Sequence, residues 1–113
     1  MPSHRVQRAT EDIRRELSDI IRNLKDPRVT GMLSIVKVDL SSDYSYCKVY
    51  ISSMEGLEGA KQAVEGLRSA SGFVRREIGA RLKLRRTPEV TFIPDDGIAY
   101  SAELNKKLKD LGE

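Results

Sequence analysis

Residues 69–97 read SASGFVRREIGARLKLRRTPEVTFIPDDG, and the way this stretch divides decides the fold. Val74, Ile78 and Leu82 recur at a strict four-residue spacing, which predicts a helix with one apolar side after the break at Ala70-Ser71-Gly72. Gly72 is expected to reset the direction of that helix relative to the chain before it. Pro88 punctuates its end. From Glu89 to Ile93 the residues alternate, Val90 and Phe92 on one face and Thr91 and Ile93 on the other, as in a strand. Pro94-Asp95-Asp96-Gly97 has the composition of a turn.

Working toward the N-terminus, Leu57, Ala60, Val64 and Leu67 predict the helix that enters the break. Two runs rich in β-branched and aromatic residues precede it, Met32–Leu40 and Tyr44–Ser52, joined by Ser41-Ser42-Asp43. They predict a hairpin whose second strand buries Cys47, Val49 and Ile51. Tyr44, Tyr46 and Tyr50 share one parity of that strand, so they either stack on bases or pack beneath a helix. Ile13, Leu17, Ile20, Ile21 and Leu24 predict a first helix from about residue 6 to 25, ended by Asp26-Pro27 because the residue before proline leaves the helical region. Beyond the turn, Tyr100, Leu104, Leu108 and Leu111 predict a short C-terminal helix.

The order helix, strand, strand, helix, kink, helix, strand, with helices on one face of a three-stranded sheet, is an α+β layout of the type II KH kind. The 113 residues hold no repeat or Pro/Gly/Ser-rich linker and are expected to form one domain, 1–113. A literal GXXG occurs at Gly56-Leu57-Glu58-Gly59, but it carries an acid and precedes the second helix, so it reads as a turn and helix start. At the break, where a KH domain places its GXXG loop, the motif is absent.

Charge narrows the function. The whole chain carries only +3, yet residues 68–86 hold Arg68, Arg75, Arg76, Arg81, Lys83, Arg85 and Arg86 against Glu77 alone, a local +6. Such a block on a near-neutral remainder is the footprint of a phosphate-binding surface. On a helical projection Arg75, Arg76, Gly79 and Lys83 fall opposite Val74, Ile78 and Leu82. Gly79 fits two readings equally, access for phosphate between cations or relief of crowding against a neighbour. Arg81, Arg85 and Arg86 lie near the helix end, where cations also offset the dipole. Arg5 and Arg8 precede most of the acids of the first helix and are candidates for RNA contact. The cations further along that helix are interspersed with acids and are expected to pair on the surface.

Other chemistries find little in the chain. Cys47 is the single cysteine and His4 the single histidine, so no disulfide or cysteine metal cluster is expected, and no metal or other cofactor. No run is long and apolar enough to span a bilayer and the N-terminus lacks the apolar stretch of a secretory signal, so a cytoplasmic protein with no membrane partner is expected. Asp95 and Asp96 are the only pair suggesting a metal-dependent nuclease, and a turn accounts for them equally.

Several of these segments together resemble ribosome-binding factor A. RRELSDIIRNLKDPRV, Arg14 to Val29, is similar to that family's first helix and its Lys-Asp-Pro-Arg exit. SIVKVDLSSDYSYCKVYIS, Ser34 to Ser52, is similar to its hairpin, and Ser69 to Gly97 to the remainder, with an Ala-x-Gly kink at Ala70-Ser71-Gly72 in place of GXXG. The resemblance implies a cytoplasmic bacterial factor that binds the small (30S) ribosomal subunit and its 16S rRNA, supports late maturation and rRNA processing, and matters for cold adaptation. It implies no enzyme, and a monomer off the ribosome. Carried onto this sequence, it makes Ala70, Ser71, Gly72 and the cations after them the leading RNA-contact residues. The chain ends at Glu113, short of the long C-terminal extension of some members, so no activity of that tail is expected. The alternatives are a sequence-specific single-stranded RNA reader of the ordinary KH type and the metal-dependent rRNA nuclease.

Overall fold

The computed structural model describes residues 4–29, 32–84 and 86–95. The first helix, α1 (His4–Arg22), buries Val6, Ala9, Ile13, Leu17 and Ile20 along one side, the spacing that a 3.6-residue repeat requires. It stops three residues short of the predicted Lys25. Asn23 is responsible: its backbone N–H is shared between the carbonyls of Asp19 and Ile20, both at 3.2 Å, and its side-chain amide donates to the Asp19 carbonyl at 2.9 Å. The orphan carbonyls of the last turn are thus satisfied locally. Asp26 then turns the chain by accepting the backbone N–H of Arg28 at 2.8 Å.

Strands β1 (Leu33–Leu40) and β2 (Tyr46–Ser53) pair antiparallel, and β2 pairs parallel with β3 (Glu89–Pro94), giving the order β1-β2-β3. Ile35 faces Ile51 while Val38 faces Val49, because the register shifts at Val36. That bulge absorbs one extra residue, so Leu33 and Ile35 before it and Val38 and Leu40 after it all serve the same side. The hairpin turn is longer than Ser41-Ser42-Asp43 and takes in Tyr44 and Ser45. Tyr44 has φ 65°, in the left-handed region, and is buried, with its hydroxyl donating to the Arg5 carbonyl at 3.2 Å. The tyrosine row predicted for β2 therefore reduces to Tyr46 and Tyr50. Tyr46 lies on the open face of the sheet, 60% exposed.

Between β2 and β3 the chain runs through α2 (Leu57–Ser69) and α3 (Ser71–Arg81). Gly56, at φ 88°, begins α2, so the literal GXXG is a turn and helix start. The helices cover one side of the sheet: α1 rests on β1 and α3, α2 on β2 and β3, and α3 on β3. This is the α+β layout of the type II KH fold. Cys47, Val49 and Ile51 of β2, Phe92 of β3, Ile13 and Leu17 of α1, Leu67 of α2 and Val74 and Ile78 of α3 are fully buried. Burial pushes the Cys47 thiol up to about 12, with the charge of Asp39 acting in the same direction, so it is an inert core residue. The predicted C-terminal helix, and Asp96 and Gly97 of the turn before it, lie outside the described residues.

One packing contact had no sequence signal. Gly66 lies against the loop after α1, where an added Cβ would fall 2.6 Å from Val29 Cγ2 and 3.3 Å from Arg28 Cβ. Gly66→Ala is expected to destabilise the protein by on the order of 1–2 kcal/mol, overpacking outweighing the better helix propensity of alanine. A denaturant titration with an unchanged or higher midpoint would contradict this contact.

Candidate nucleic-acid interface

The break between α2 and α3 sits at Ala70, not at Gly72. Ala70 has φ −96° and ψ 9°, ends α2 by donating to the Gly66 and Leu67 carbonyls at 3.1 Å, and begins α3 by accepting from Val74 N–H at 2.9 Å. These angles fall in the bridge region, which a small residue fills readily at the junction of two helices. Ser71 and Gly72 are the first residues of α3. Gly72 is exposed, and a Cβ built on it would meet nothing within 4 Å, so a ligand backbone has open access to its Cα. Phe73 follows, 43% exposed beside the kink, a feature the apolar pattern of the helix did not reveal.

On α3 the predicted division of faces holds, with Val74 and Ile78 buried and Arg75, Arg76 and Gly79 on the outside. Arg75 donates to the Thr87 carbonyl at 3.3 Å, tying the helix to the approach of β3. A Cβ on Gly79 would stand 3.1 Å from Thr87 Oγ1, which favours the crowding reading of that glycine. Lys83 is not on the helix: α3 stops at Arg81 and Leu82 is extended, at φ −118° and ψ 135°.

Arg81 occupies a different environment from the other cations. Its guanidinium meets Asp19 at 2.7 Å and Glu16 and Glu77 at 3.4 Å, and its side chain is only 29% exposed. The hydrogen bond from Arg81 holds the Asp19 carboxyl below its ordinary value, and Asp19 in turn raises the Arg81 pKa. Three carboxylates around one cation leave no net positive charge for a phosphate there; the residue fastens α3 to α1. Arg68, another member of the basic block, donates to the Phe92 carbonyl at 3.1 and 3.3 Å. In the first helix Arg15 pairs with Asp12 at 3.1 Å, and Arg14 donates to the Ile35 carbonyl at 2.7 Å.

The fold brings together two sets of cations that are far apart in sequence. Arg5 and Arg8, one turn apart at the start of α1, share a groove of about 380 Å³ with Lys83 and Leu84. Tyr44 forms part of its wall. An adjoining depression that shares Arg5 and Tyr44 is lined by Arg86 and Asp43. Arg5, Arg8, Lys83 and Arg86 are all exposed, and among the described residues none makes an ion pair within 4.0 Å. The side chain of Arg85 lies outside the described residues. The described residues include no group of three His, Cys, Asp or Glu able to hold a metal ion, and no helix among them is long and apolar enough to cross a membrane. Of the Asp95-Asp96 pair only Asp95 is described, its backbone N–H donating to the Ile51 carbonyl at 2.7 Å.

A family model, ribosome-binding factor A, matches residues 5–108. The chain belongs to the ribosome-binding factor A family. A ribosome-binding factor A from Acetivibrio thermocellus is 47% identical over 107 residues, covering 94% of this chain and 87% of that protein. The crystal structure of ribosome-binding factor A from Thermus thermophilus superposes with a TM-score of 0.68 at 29% identity, covering 79% of this chain and 94% of the other. A homology model of the Thermus thermophilus factor, fitted into a cryo-electron microscopy map of its 30S complex, gives a TM-score of 0.62 at 30% identity, covering 75% and 89% of the two chains.

The adjoining depression also has a titratable anchor. Asp43 accepts the hydroxyls of Ser41 and Ser45, at 2.9 and 2.6 Å, and the backbone N–H of Ser45 at 3.0 Å. These bonds, the Ser45 hydroxyl foremost, lower its carboxyl from 3.8 to about 2. Because the folded value lies below the ordinary one, the contribution of this turn is complete above about 4 and is lost as pH falls through about 2. Carboxyl-carbon NMR should give an Asp43 midpoint near 2, and Ser45→Ala should move it upward; a midpoint near 3.8 in the unaltered protein would contradict the turn geometry.

Proposed function

We propose that this chain binds the small ribosomal subunit through its 16S rRNA and supports late maturation and rRNA processing as a non-catalytic, cytoplasmic factor, monomeric off the ribosome. The observation that carries this reading is the assembly of exposed cations on surfaces built by the kinked helix pair and the start of α1. Arg75 and Arg76 follow the open Gly72 on α3, while Arg5, Arg8, Lys83 and Arg86 line the groove and its neighbour. The family to which the chain belongs, and the 30S complex of the Thermus thermophilus relative, support the same partner.

Without a GXXG loop to clamp a single strand, these cations suit the backbone and shape of folded RNA. Ala70, Ser71 and Gly72 supply the close approach. Arg75, Arg76, Lys83, Arg85, Arg86, Arg5 and Arg8 supply charge, whereas Arg81 and Gly79 contribute by holding α3 in place.

Binding of the pure protein to small subunits should weaken steeply with salt, each phosphate neutralised contributing about −0.7 to −0.9 to the logarithmic slope. Joint reversal of Arg75, Arg76 and Lys83 to Glu should flatten that slope by roughly 2 or more and weaken binding at low salt. An unchanged affinity in the reversed variant would exclude this surface. Tight, sequence-dependent binding to a short single-stranded oligomer would instead favour an ordinary KH reader. Magnesium-dependent cleavage of precursor rRNA, lost in Asp95→Ala with Asp96→Ala, would favour a nuclease.

A further inference from the structure

Between α3 and the end of α1 lies a groove of about 340 Å³, at the small end of the range for ligand sites, which shares no lining residue with the groove of Arg5 and Arg8. Its apolar lining comes from Ile20 near the end of α1, Leu24 just after it, Ala70 at the kink and Phe73 of α3. Of the two phenylalanines, Phe92 is fully buried in the core and Phe73 is 43% exposed. A single exposed apolar residue is ordinary on a protein surface. An aromatic ring that lines a groove offers more, a flat face to a planar ligand.

Charge decides which ligand. Glu77 and Arg81 also line the groove, and around Arg81 the carboxylates of Glu16, Asp19 and Glu77 outnumber the one guanidinium, so that part of the groove repels a phosphate. The surplus of positive charge stands elsewhere. Arg76 lies four residues after Gly72 and three after Phe73, so helical geometry puts it between the two in azimuth, one turn along. Lys25 lines the groove from the segment after α1. Both cations are exposed, and among the described residues neither makes an ion pair within 4.0 Å. A ligand with a planar apolar part and an attached anion meets all of these features at once. Its plane lies on Phe73, and its anion stays outside near Arg76, passing Gly72, where an added Cβ would meet nothing within 4 Å. A nucleotide has this build: its base offers a π-face to an aromatic ring and its phosphate a charge to arginine and lysine.

We propose that Phe73 stacks on one unpaired base of the small subunit's rRNA, seated in this groove, with the adjoining phosphate held by Arg76 and Lys25. The inference rests on rRNA being the partner, and it adds to the backbone contacts a base contact on the α1 side of α3. In folded RNA the bases of loops and bulges are the ones free to enter such a groove. Every base has a π-face, so the contact adds affinity without selecting a sequence.

The chain has no tryptophan, so Phe73→Trp, incorporated as 5-hydroxytryptophan and excited at its red edge away from ribosomal-protein tryptophans, puts a single probe in the groove. Titrated with intact small subunits, its emission should be quenched as the indole stacks on a base. Phe73→Leu keeps an apolar side chain but removes the ring, and it should weaken binding roughly tenfold. Its salt slope should match that of the unaltered protein, because stacking releases no counterions, and Phe73→Tyr should retain the affinity. If Phe73→Leu fails to fold, the quenching and the Phe73→Tyr affinity still decide. Binding without quenching, or Phe73→Leu binding as tightly as the unaltered protein, would overturn this contact while leaving rRNA as the partner. Emission that brightens and moves to the blue would also overturn it, since the groove would then hold an apolar protein segment. Failure of the unaltered protein to bind small subunits at all would overturn both the partner and the contact.

Discussion

The parallel pairing of β2 with β3 is the constraint on which the rest of this structure depends. Antiparallel neighbours can be joined by a short turn, as β1 and β2 are, whereas parallel neighbours need the chain to return over a face of the sheet. Here the return is made by helices of 13 and 11 residues with Ala70 between them. As one uninterrupted helix this stretch would be roughly 37 Å long, against roughly 20 Å for a six-residue strand. A break is therefore required for α2 and α3 both to pack on β3. Ala70 provides it with a bridge-region conformation and hydrogen bonds to both helices.

The same break creates the candidate interface. Turning the chain at Ala70 puts Gly72 on the outside with open space over its Cα, and it aims Val74 and Ile78 into the core, so Arg75 and Arg76 face solvent. The end of α3 at Arg81 then leaves Leu82 extended, and Lys83 meets Arg5 and Arg8 across a groove. The candidate interface and a topological requirement thus rest on one local feature. This chain has no GXXG at the junction of α2 and α3, yet the sheet still requires the break there, whatever the ligand.

Much of this was legible in the residues. The apolar periodicities located every described helix and strand to within a few residues, since a helix or a half-buried strand cannot form without such a stripe. Errors fell where side chains compete with the backbone. Asn23 ended α1 before Pro27 could, and Asp43, held by Ser41 and Ser45, widened the hairpin turn and took Tyr44 out of the strand. Gly66 gave no sign of its role, because its close neighbour Val29 comes from a loop 37 positions earlier in the chain.

For the candidate site the division is sharper. The residues alone establish that positions 68–86 carry an excess of positive charge, that the helix pair lacks a GXXG loop, and that the chain resembles ribosome-binding factor A. They could not distinguish cations that remain free from those held by partners, because pairing depends on approach in space. Packing in three dimensions surrounds Arg81 with Glu16, Asp19 and Glu77, and commits Arg68 to the Phe92 carbonyl. It also stands Arg5 and Arg8, more than seventy residues before Lys83, beside that lysine. Charge is a property of composition, but electrostatic potential is a property of distance, and distance is set only when α1 packs against α3 and the sheet.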